Sequence, residues 1–293
     1  MGTTPLDAYL EARKKLVNKT LLKLLGKSGA YKRFGDLDKS FSRTVLLNGK
    51  RLRPIMAMMT YELFDDSNLK KILEPACAIE LVHAGSLMLD DLPSMDNAEY
   101  RRGKKTNHAM FGDAVTILAS AGLWVEAFDI VTSADTLDTR KLVNALTKSI
   151  GRDGLVLGQY MDLYAFNKKQ TLKDLRQCYE LKTASLFILA VTFGAVIGGA
   201  SAKEARVLKD FGMAFGVAYQ IRDDIIDATE SEKESGKDAH KDEQNNKPNY
   251  VSLLGLEGAK KALKKEHVTA LKALGDLQKD TTRLEQLLAA ITF

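Results

Sequence analysis

Apolar residues recur at intervals of three and four along most of the chain, and strict alternation of apolar and polar residues is absent. This pattern predicts an almost entirely α-helical protein with little or no strand. Thr4 and Pro5 have the character of a helix N-cap and a first helical residue, and an amphipathic leucine pattern follows them. Further apolar segments predict helices over 55–64, 106–128 and 153–166, a last amphipathic helix over 263–277, and a breaker-rich connection over 26–38.

The distribution of prolines leaves room for long helices, because none falls between Pro93 and Pro248. The chain has 293 residues and is 45% hydrophobic, which is enough to bury a sizeable core. The segment 184–202 is the one stretch that this pattern marks as apolar enough to cross a membrane, and it contains Ser, Thr and glycines. A span needs about 20 strongly apolar residues, so we expect a buried core helix and no stable membrane insertion.

Charge and cysteine content limit the partners and the compartment. The net charge of +5 is spread along the chain without an arginine-rich block interleaved with aromatics, so no nucleic acid partner is expected. Cys77 and Cys178 are far apart and lack the spacing of a metal site, which is typical of reduced cysteines in a cytoplasmic protein. The N-terminal segment carries charges and has no apolar signal core.

An acidic segment follows the apolar run LVHAGSLML. It contains Asp90, Asp91 and Asp96, and Arg101 and Arg102 come shortly after. Carboxylates beside apolar walls are costly unless cations neutralise them. A magnesium ion held by one or two carboxylates, with water and substrate phosphates as its other ligands, meets that need, and guanidinium groups suit phosphate oxygens. The segment predicts a site for a phosphorylated substrate, although a lone aspartate pair is more often a solvated helix end.

The spacing within this segment requires a distortion. On a straight helix Asp90 and Asp96 would be separated by about 9 Å of rise and about 120° of rotation, and they could not share a ligand. Pro93 lies between them and bends or breaks a helix. We therefore expect the chain to bulge there and to return Asp96 toward Asp90.

A second acidic group, with Asp223, Asp224 and Asp227, ends the stretch FGMAFGVAYQIRDDIID. Gly216 and Gln220 share a helical stripe with two of these aspartates. Two carboxylate clusters at the ends of apolar helices could face each other across a cavity filled by a polyphosphate ester bridged by magnesium ions. The basic segment NGKRLRP, ahead of an apolar helix, suits a further phosphate group, although alone it is equally typical of a solvated turn.

Together these segments resemble the trans-isoprenyl diphosphate synthase family, the farnesyl and geranylgeranyl diphosphate synthases. DDLPSMD is similar to the family's first aspartate-rich motif in its bacterial form and DDIID to the second, and NGKRLRP, LKTASLF and NNKPNYVSLLG match further motifs. The resemblance covers nearly the whole chain and implies one polyprenyl synthase domain over 1–293. It implies the isoprenoid synthase fold, an all-α single-domain bundle of ten or more helices around a deep central cavity.

The activity that the resemblance implies is head-to-tail condensation of isopentenyl diphosphate with dimethylallyl, geranyl or farnesyl diphosphate. It also implies a homodimer that uses Mg²⁺, with three ions around the bound diphosphate. Two alternatives stay open: a terpene cyclase of the same fold, and a non-catalytic partner subunit of a heteromeric synthase. The basic segment and the second motif argue against a cyclase, and a partner subunit usually lacks one of the two aspartate motifs.

The resemblance implies roles for individual residues. The metal ligands are Asp90, Asp91, Asp96, Asp223, Asp224 and Asp227. The substrate-binding residues are Gly49, Lys50, Arg53, His83, Arg101, Arg102 and Lys237. The catalytic residues are Lys182, on the allylic diphosphate, and Thr183 and Gln220, near the developing cation. Lys247 is a further candidate for the diphosphate, while Gln159 and Asp162 share a face that lines the site in the family but could equally be a surface pair.

The sequence departs from the family's pattern at several positions. Ala121 stands where an acidic residue is usual, and His240 stands where the lid that carries Lys237 usually has a glycine. In the family, bulky aromatics at the positions of Gly85 and Ser86 form a floor that stops growth at farnesyl diphosphate. Because this chain lacks them, geranylgeranyl diphosphate is the expected product, with farnesyl diphosphate next if a bulky residue on another helix supplies the floor.

Overall fold

The computed structural model describes residues 4–26, 35–134, 136, 138–164, 170–229 and 247–292. The expected all-α fold is confirmed, since the strands in these residues are limited to β1 (Tyr100–Arg101) and β2 (Lys104–Lys105), which form one antiparallel pair. The α-helices are α1 (Pro5–Leu25), α2 (Gly35–Leu46), α3 (Leu52–Glu62), α4 (Lys70–Asp90), α5 (Asn107–Phe111), α6 (Asp113–Thr132), α7 (Thr139–Ile150), α8 (Leu155–Tyr164), α9 (Leu172–Tyr179), α10 (Ser185–Gly198), α11 (Ala202–Thr229), α12 (Tyr250–Gly275) and α13 (Thr282–Thr292). A π-helical turn, Glu180–Ala184, joins α9 to α10.

The core lies between α3, α4, α6, α10 and α11. Helix α10 packs on both α3 and α11, and α4 packs on α3 and α6. Phe187 and Phe193 of α10 are fully buried, as are Phe211 and Phe215 of α11. A helix that is apolar all round is stable only inside a protein or a membrane, and α10 is enclosed by its neighbours.

Several helix boundaries differ from those that the sequence predicts. The segment 106–128 is broken at Gly112, whose φ of 80° ends α5 and begins α6. The connection expected over 26–38 contains the start of α2, and α13 follows the helix expected to be last. At the N-terminus the prediction is confirmed, because the Thr4 side chain accepts a hydrogen bond from the Asp7 backbone in a capping box.

Three described helices, rather than the one expected, are long and apolar enough to cross a membrane by length and composition. They span Lys70–Asp90, Asp113–Thr132 and Leu172–Gly198. The first and third are 67% buried inside the protein over their most apolar window, so the core accounts for their composition. The second is 39% buried there, which leaves one apolar face of α6 exposed.

Candidate active site

A cavity of about 1910 Å³ lies among α3, α4, α8, α11 and the π-helical turn. Of the sequence-predicted site residues that the structure describes, all except Asp91 line this cavity. Lys237 lies outside the described residues, as does His240. Both acidic clusters predicted from the sequence therefore have members that line one cavity.

The first acidic cluster sits where α4 ends. Helix α4 stops at Asp90, and turns that contain Pro93 carry the chain back on itself. The backbone nitrogen of Asp96 donates to the carbonyl oxygen of Asp90 at 3.0 Å. The expected bulge is confirmed, and it returns Asp96 to the cavity beside Asp90.

Asp91 differs from its neighbour because it turns into the protein. It is 3% exposed, and both of its carboxylate oxygens accept from Arg101 Nε, each at 2.9 Å, while Arg101 Nη2 donates to Oδ1 at 2.7 Å. Burial would lower the pKa of Arg101, but the hydrogen bonds and charge of Asp91 outweigh it and raise that pKa. This geometry favours a role for Asp91 in positioning Arg101 over the predicted role of metal ligand.

Two lysines bridge the carboxylates of the first cluster. Lys182 Nζ lies 2.7 Å from Asp162 Oδ2 and 3.4 Å from Asp90 Oδ1. Lys247 Nζ lies 2.7 Å from Asp96 Oδ1 and 2.9 Å from the same Asp162 oxygen. The space between these carboxylates therefore favours positive charge, and two ammonium groups provide it.

The charges in this network reinforce one another. Burial would lower the pKa of Lys182, but Asp90 and Asp162 outweigh it and raise that pKa above its ordinary value. Burial would raise the pKa of Asp162, but Lys182 and Lys247 outweigh it and lower that pKa. At neutral pH, Asp162 is therefore a carboxylate held between two ammonium groups.

The second acidic cluster lies on α11 and lines the same cavity. Asp223 and Asp227 line the cavity, and Asp223 is 3.7 Å from the guanidinium of Arg222. Asp224 is 3% exposed, and its Oδ2 accepts from the Tyr179 hydroxyl at 2.7 Å and from the Tyr250 backbone nitrogen at 3.0 Å. That carboxylate fixes α9 and α12 against α11, so the geometry favours a structural role over the predicted metal-ligand role.

Lys182 and Thr183 reach the cavity from the π-helical turn. The sequence predicts that this pair opens an apolar helix, whereas it lies inside the continuous helical stretch Leu172–Gly198. The Thr183 hydroxyl donates to Gln220 Oε1 at 2.8 Å, which joins the turn to α11. π-helical turns are frequent at functional sites because the wider turn presents side chains that an α-helix would separate.

Two glycines hold the π-helical turn from both sides. A Cβ atom on Gly158 of α8 would lie 2.4 Å from the backbone nitrogen of Lys182. A Cβ atom on Gly216 of α11 would lie 2.4 Å from Cα of Ala184. Because real Cβ atoms do not approach backbone so closely, the turn can sit there only while both positions are glycine.

A basic pocket lines the cavity next to the first cluster. Arg53 lies 4.5 Å above the ring of the fully buried Phe187, and its Nη1 is 3.4 Å from His83 Nε2. Burial, followed by the charges of Arg53 and Arg102, holds the pKa of His83 well below its ordinary value. His83 is therefore neutral at physiological pH, and it can offer a hydrogen bond without adding charge.

The loop before α3 completes the basic pocket. Arg102 Nη1 donates to the carbonyl oxygen of Asn48 at 3.1 Å. A Cβ atom on Gly49 would lie 2.7 Å from that guanidinium nitrogen, so glycine at this position lets Arg102 approach the loop. Lys50 is exposed at the rim and lines the same cavity.

Arg51 anchors this loop from beneath. It is 4% exposed and has a left-handed backbone, with φ of 55°. Its guanidinium donates to the carbonyl oxygens of Val45 and Leu47, at 2.7 and 2.9 Å, and to Asn18 Oδ1 at 2.9 Å. A fourth hydrogen bond, of 2.5 Å, joins it to the buried carboxylate of Glu80 on α4.

Some residues of this site have contacts that the sequence does not reveal. Arg51 belongs to a basic segment whose pattern assigns it no individual role. The sequence is equally compatible with a surface position for Gln159 and Asp162, but Gln159 Nε2 donates to Asp90 Oδ1 at 2.6 Å, and Asp162 contacts both bridging lysines. The shared helical face of Gln159 and Asp162 was the available signal, but spacing alone does not show whether a face is turned inward.

A bulky side chain lies beside Gly85. Gly85 leaves no side chain beneath Asp90, but the space beside it is taken by the indole ring of Trp124 on α6. Trp124 lines the same cavity as Asp90. The alternative raised by the sequence, a bulky residue on another helix, therefore has a candidate.

The donor set fits magnesium bound together with a phosphorylated ligand. Among the described residues, no three Asp, Glu, His or Cys side chains converge as a ready-made metal cage. Magnesium is usually held by one or two carboxylates plus water and substrate phosphates, and it does not need such a cage. Asp90 and Asp96 after α4 and Asp223 and Asp227 on α11 provide hard oxygen donors around one cavity.

Comparisons with known proteins agree with this arrangement. The family model described as "Polyprenyl synthetase" matches residues 36–291. A farnesyl diphosphate synthase of Bacillus subtilis (strain 168) is 37% identical over 289 residues, 95% of each chain. A chloroplastic geranylgeranyl pyrophosphate synthase of Capsicum annuum is 41% identical over 222 residues, 74% of this chain and 60% of that protein.

Solved structures give the same result. An FPP/GFPP synthase from Zymomonas mobilis, in its apo form, has a TM-score of 0.86 and 29% identity, covering 98% of this chain and 99% of that one. A geranyltransferase from Helicobacter pylori, complexed with magnesium and isoprenyl diphosphate, has a TM-score of 0.83 and 29% identity, covering 99% and 97%.

Proposed function

This chain belongs to the polyprenyl synthetase family and is a trans-prenyltransferase, and we propose that it condenses isopentenyl diphosphate head to tail with an allylic diphosphate. The observation that carries the proposal is one cavity lined by two aspartate clusters from different helices and by a group of basic residues. Two substrates that each bear a diphosphate need two anion sites, and the cavity provides both. Dimethylallyl, geranyl and farnesyl diphosphate are the allylic substrates that we propose.

We propose that the allylic diphosphate binds between the aspartate clusters with Mg²⁺. Asp90, Asp96 and Asp223 would hold the metal, and the solved Helicobacter pylori relative contains magnesium with isoprenyl diphosphate. The metal supplies Lewis acidity toward the leaving diphosphate, with three ions as the proposed number. Lys182 and Arg101 add fixed positive charge to that site, since both line the cavity beside Asp90.

The chain's own residues then favour ionisation of the allylic substrate. The carbon–oxygen bond breaks, and the diphosphate leaves with the bonding electron pair into the cationic surroundings of Lys182 and Arg101. The Gln220 amide oxygen and the Thr183 hydroxyl lie near the positive allylic carbon and stabilise it. Catalysis of this kind rests on positioning and preorganised charge.

The basic pocket orients the second substrate. Lys50, Arg53, Arg102 and the neutral His83 bind the diphosphate of isopentenyl diphosphate. Its double bond attacks the allylic cation and forms the new carbon–carbon bond. A proton is then lost from the carbon next to the new cation to an oxygen of the departed diphosphate, which restores a double bond.

We propose a homodimer that associates through the exposed face of α6. Ile117, Leu118 and Val125 lie on that helix and are 48%, 62% and 68% exposed. Ala121, where the family usually has an acidic residue, is exposed on the same face, and it keeps the face uncharged. Both described cysteines are free and buried, which suits the cytoplasm that we propose as the compartment.

The proposal is tested by incubating the protein with labelled isopentenyl diphosphate and each allylic primer, with and without EDTA. We expect prenyl products that require Mg²⁺, and a loss of turnover of about 100-fold or more in Asp90→Ala and Asp223→Ala. Asp210→Ala is the matched control, because Asp210 is an exposed aspartate of α11 outside the cavity.

Other outcomes identify the alternatives. Consumption of an allylic diphosphate without incorporation of isopentenyl diphosphate would indicate a cyclase. Absence of turnover with every primer by folded, magnesium-loaded protein would indicate a non-catalytic subunit. Near wild-type turnover in either aspartate variant at saturating magnesium would contradict the assignment of the two clusters.

A further inference from the structure

Helices α4 and α6 pack against each other, and both contribute side chains to the cavity that contains the first aspartate cluster. Gly85 lies five residues before Asp90, which is about 7.5 Å of helical rise. Ser86, on the same helix, lines the cavity, and so does Trp124 of α6. A growing prenyl tail that starts at the diphosphate therefore passes along α4 toward Trp124.

The indole ring occupies the volume that a side chain at residue 85 would fill. A Cβ atom built on Gly85 would lie 2.6 Å from Trp124 Nε1 and 2.8 Å from Trp124 Cδ1. It would also lie 3.2 Å from the backbone oxygen of Ser120. Trp124 and a larger residue at position 85 thus exclude each other, and glycine at 85 is what admits the ring.

Hydrogen bonds hold the ring in this orientation. Trp124 Nε1 donates to the carbonyl oxygen of Val82 at 3.1 Å. One turn earlier on α6, the Ser120 hydroxyl donates to the carbonyl oxygen of Gly85 at 2.8 Å. Rotation of the ring away from α4 would break the first bond and leave the indole N–H without this acceptor, which is unfavourable where the group is partly buried.

We infer that Trp124 is the residue that sets product length in this enzyme, by forming the floor of the cavity in the place left open by Gly85. The inference rests on the proposed prenyl transfer. Each added five-carbon unit gains apolar burial, so growth continues until a rigid group blocks the tail. With the ring fixed beside Gly85, the shorter product, farnesyl diphosphate, is favoured over geranylgeranyl diphosphate.

The test compares product lengths in three variants with one fixed primer and labelled isopentenyl diphosphate. Trp124→Ala should raise the ratio of longer to shorter products by about tenfold or more, because it opens apolar volume that the tail can fill. Gly85→Phe in the Trp124→Ala background should return the product to the shorter length, because the new ring takes the vacated place. Leu123→Ala is the matched control, since this fully buried neighbour on α6 does not line the cavity.

The outcomes separate this inference from the proposed function. Failure of the wild type to transfer any prenyl group would overturn the proposed function itself. Active Trp124→Ala enzyme with an unchanged product distribution would overturn the inference alone. A loss of thermal stability shared with Leu123→Ala, without lengthening of the product, would show that the ring only supports the fold.

Discussion

At the scale of the residue, Arg51 shows how a group that was not predicted for the site can control it. A left-handed backbone costs a non-glycine residue about 1–3 kcal/mol, and hydrogen bonds to the carbonyl oxygens of Val45 in α2 and Leu47 in the loop, to α1 and to α4 offset that cost. The adjacent Lys50 and the nearby Arg53 therefore start from a fixed backbone. We consider Arg51 a positioning residue for the basic pocket.

Arg51→Lys is expected to raise the KM for isopentenyl diphosphate by about tenfold, because a lysine cannot reproduce the fork of hydrogen bonds that fixes the loop. The KM for the allylic primer should stay close to that of the wild type. Steady-state kinetics with each substrate varied in turn measures this split. Arg140→Lys, an exposed change on α7, is the control. Lower thermal stability with both KM values unchanged would make Arg51 purely structural.

The residue scale also shows where sequence reasoning stops. The acidic motifs identify the aspartates that surround the cavity, but adjacent members of a motif have different surroundings. Asp90 closes α4 and faces the cavity, whereas Asp91 begins the following turn and holds Arg101. On α11, the neighbour of Asp223 is Asp224, which is 3% exposed and accepts hydrogen bonds from Tyr179 and from the Tyr250 backbone. One step along a helix rotates a side chain by about 100°, and the sequence does not fix which step faces inward.

At the scale of the element, the π-helical turn that precedes α10 is the feature that brings α8 and α11 together at the site. Gly158 lets α8 reach it and Gly216 lets α11 reach it. As a result, Asp162 of α8 meets Lys182, and Gln220 of α11 meets Thr183. The stripe that the sequence predicts on α11 is real, and its glycine serves packing while its polar members face the site.

Gly158→Ala is expected to destabilise the protein by about 1–3 kcal/mol, because the methyl group meets backbone atoms of Leu181 and Lys182 that cannot give way locally. It should also raise the KM for the allylic primer, since Lys182 moves with its backbone. Thermal unfolding and steady-state kinetics measure the two effects. Gly275→Ala, at the end of α12, has nothing near its added Cβ and should leave both unchanged. Equal behaviour of the two variants would refute the packing role.

The sequence predicts helices well where their apolar pattern is long. It predicts them poorly where one turn is π-helical or where a single residue interrupts the helix. The sequence predicts that a helix begins at Lys182, because the polar α9 precedes the apolar α10. In the structure the helical stretch already begins at Leu172. The break at Gly112 was hidden because apolar residues lie on both sides of it. In both places tertiary packing, which a single sequence does not display, sets the boundary.

At the scale of the whole molecule, α6 carries an apolar face that its neighbours among the described residues leave exposed. Ile117, Leu118, Ala121 and Val125 follow helical spacing on it, whereas the opposite face packs on α4. Contiguous apolar surface of this kind is typical of an association site. Because Trp124 lies on the same helix, association would also brace the floor of the cavity.

Leu118→Asp is expected to shift the protein from dimer to monomer, because a buried unpaired carboxylate at the centre of an apolar interface is strongly unfavourable. Sedimentation equilibrium over a range of protein concentrations measures the change in mass. Val268→Asp, at a residue of α12 that is 57% exposed, should leave the mass unchanged. A wild type that sediments as a monomer, or a Leu118→Asp protein that still sediments as a dimer, would contradict the proposed interface.

The π-helical turn makes the length of one stretch of chain a determinant of activity. Removing Ala184 would restore the regular helical repeat and rotate everything before it, Lys182 included, by about 100° relative to α10. Lys182 would then face away from Asp162, although no functional residue had been substituted. We expect lineages of this enzyme to tolerate apolar-for-apolar substitutions along the rest of Leu172–Gly198, but to reject single-codon insertions and deletions there, in contrast to exposed loops.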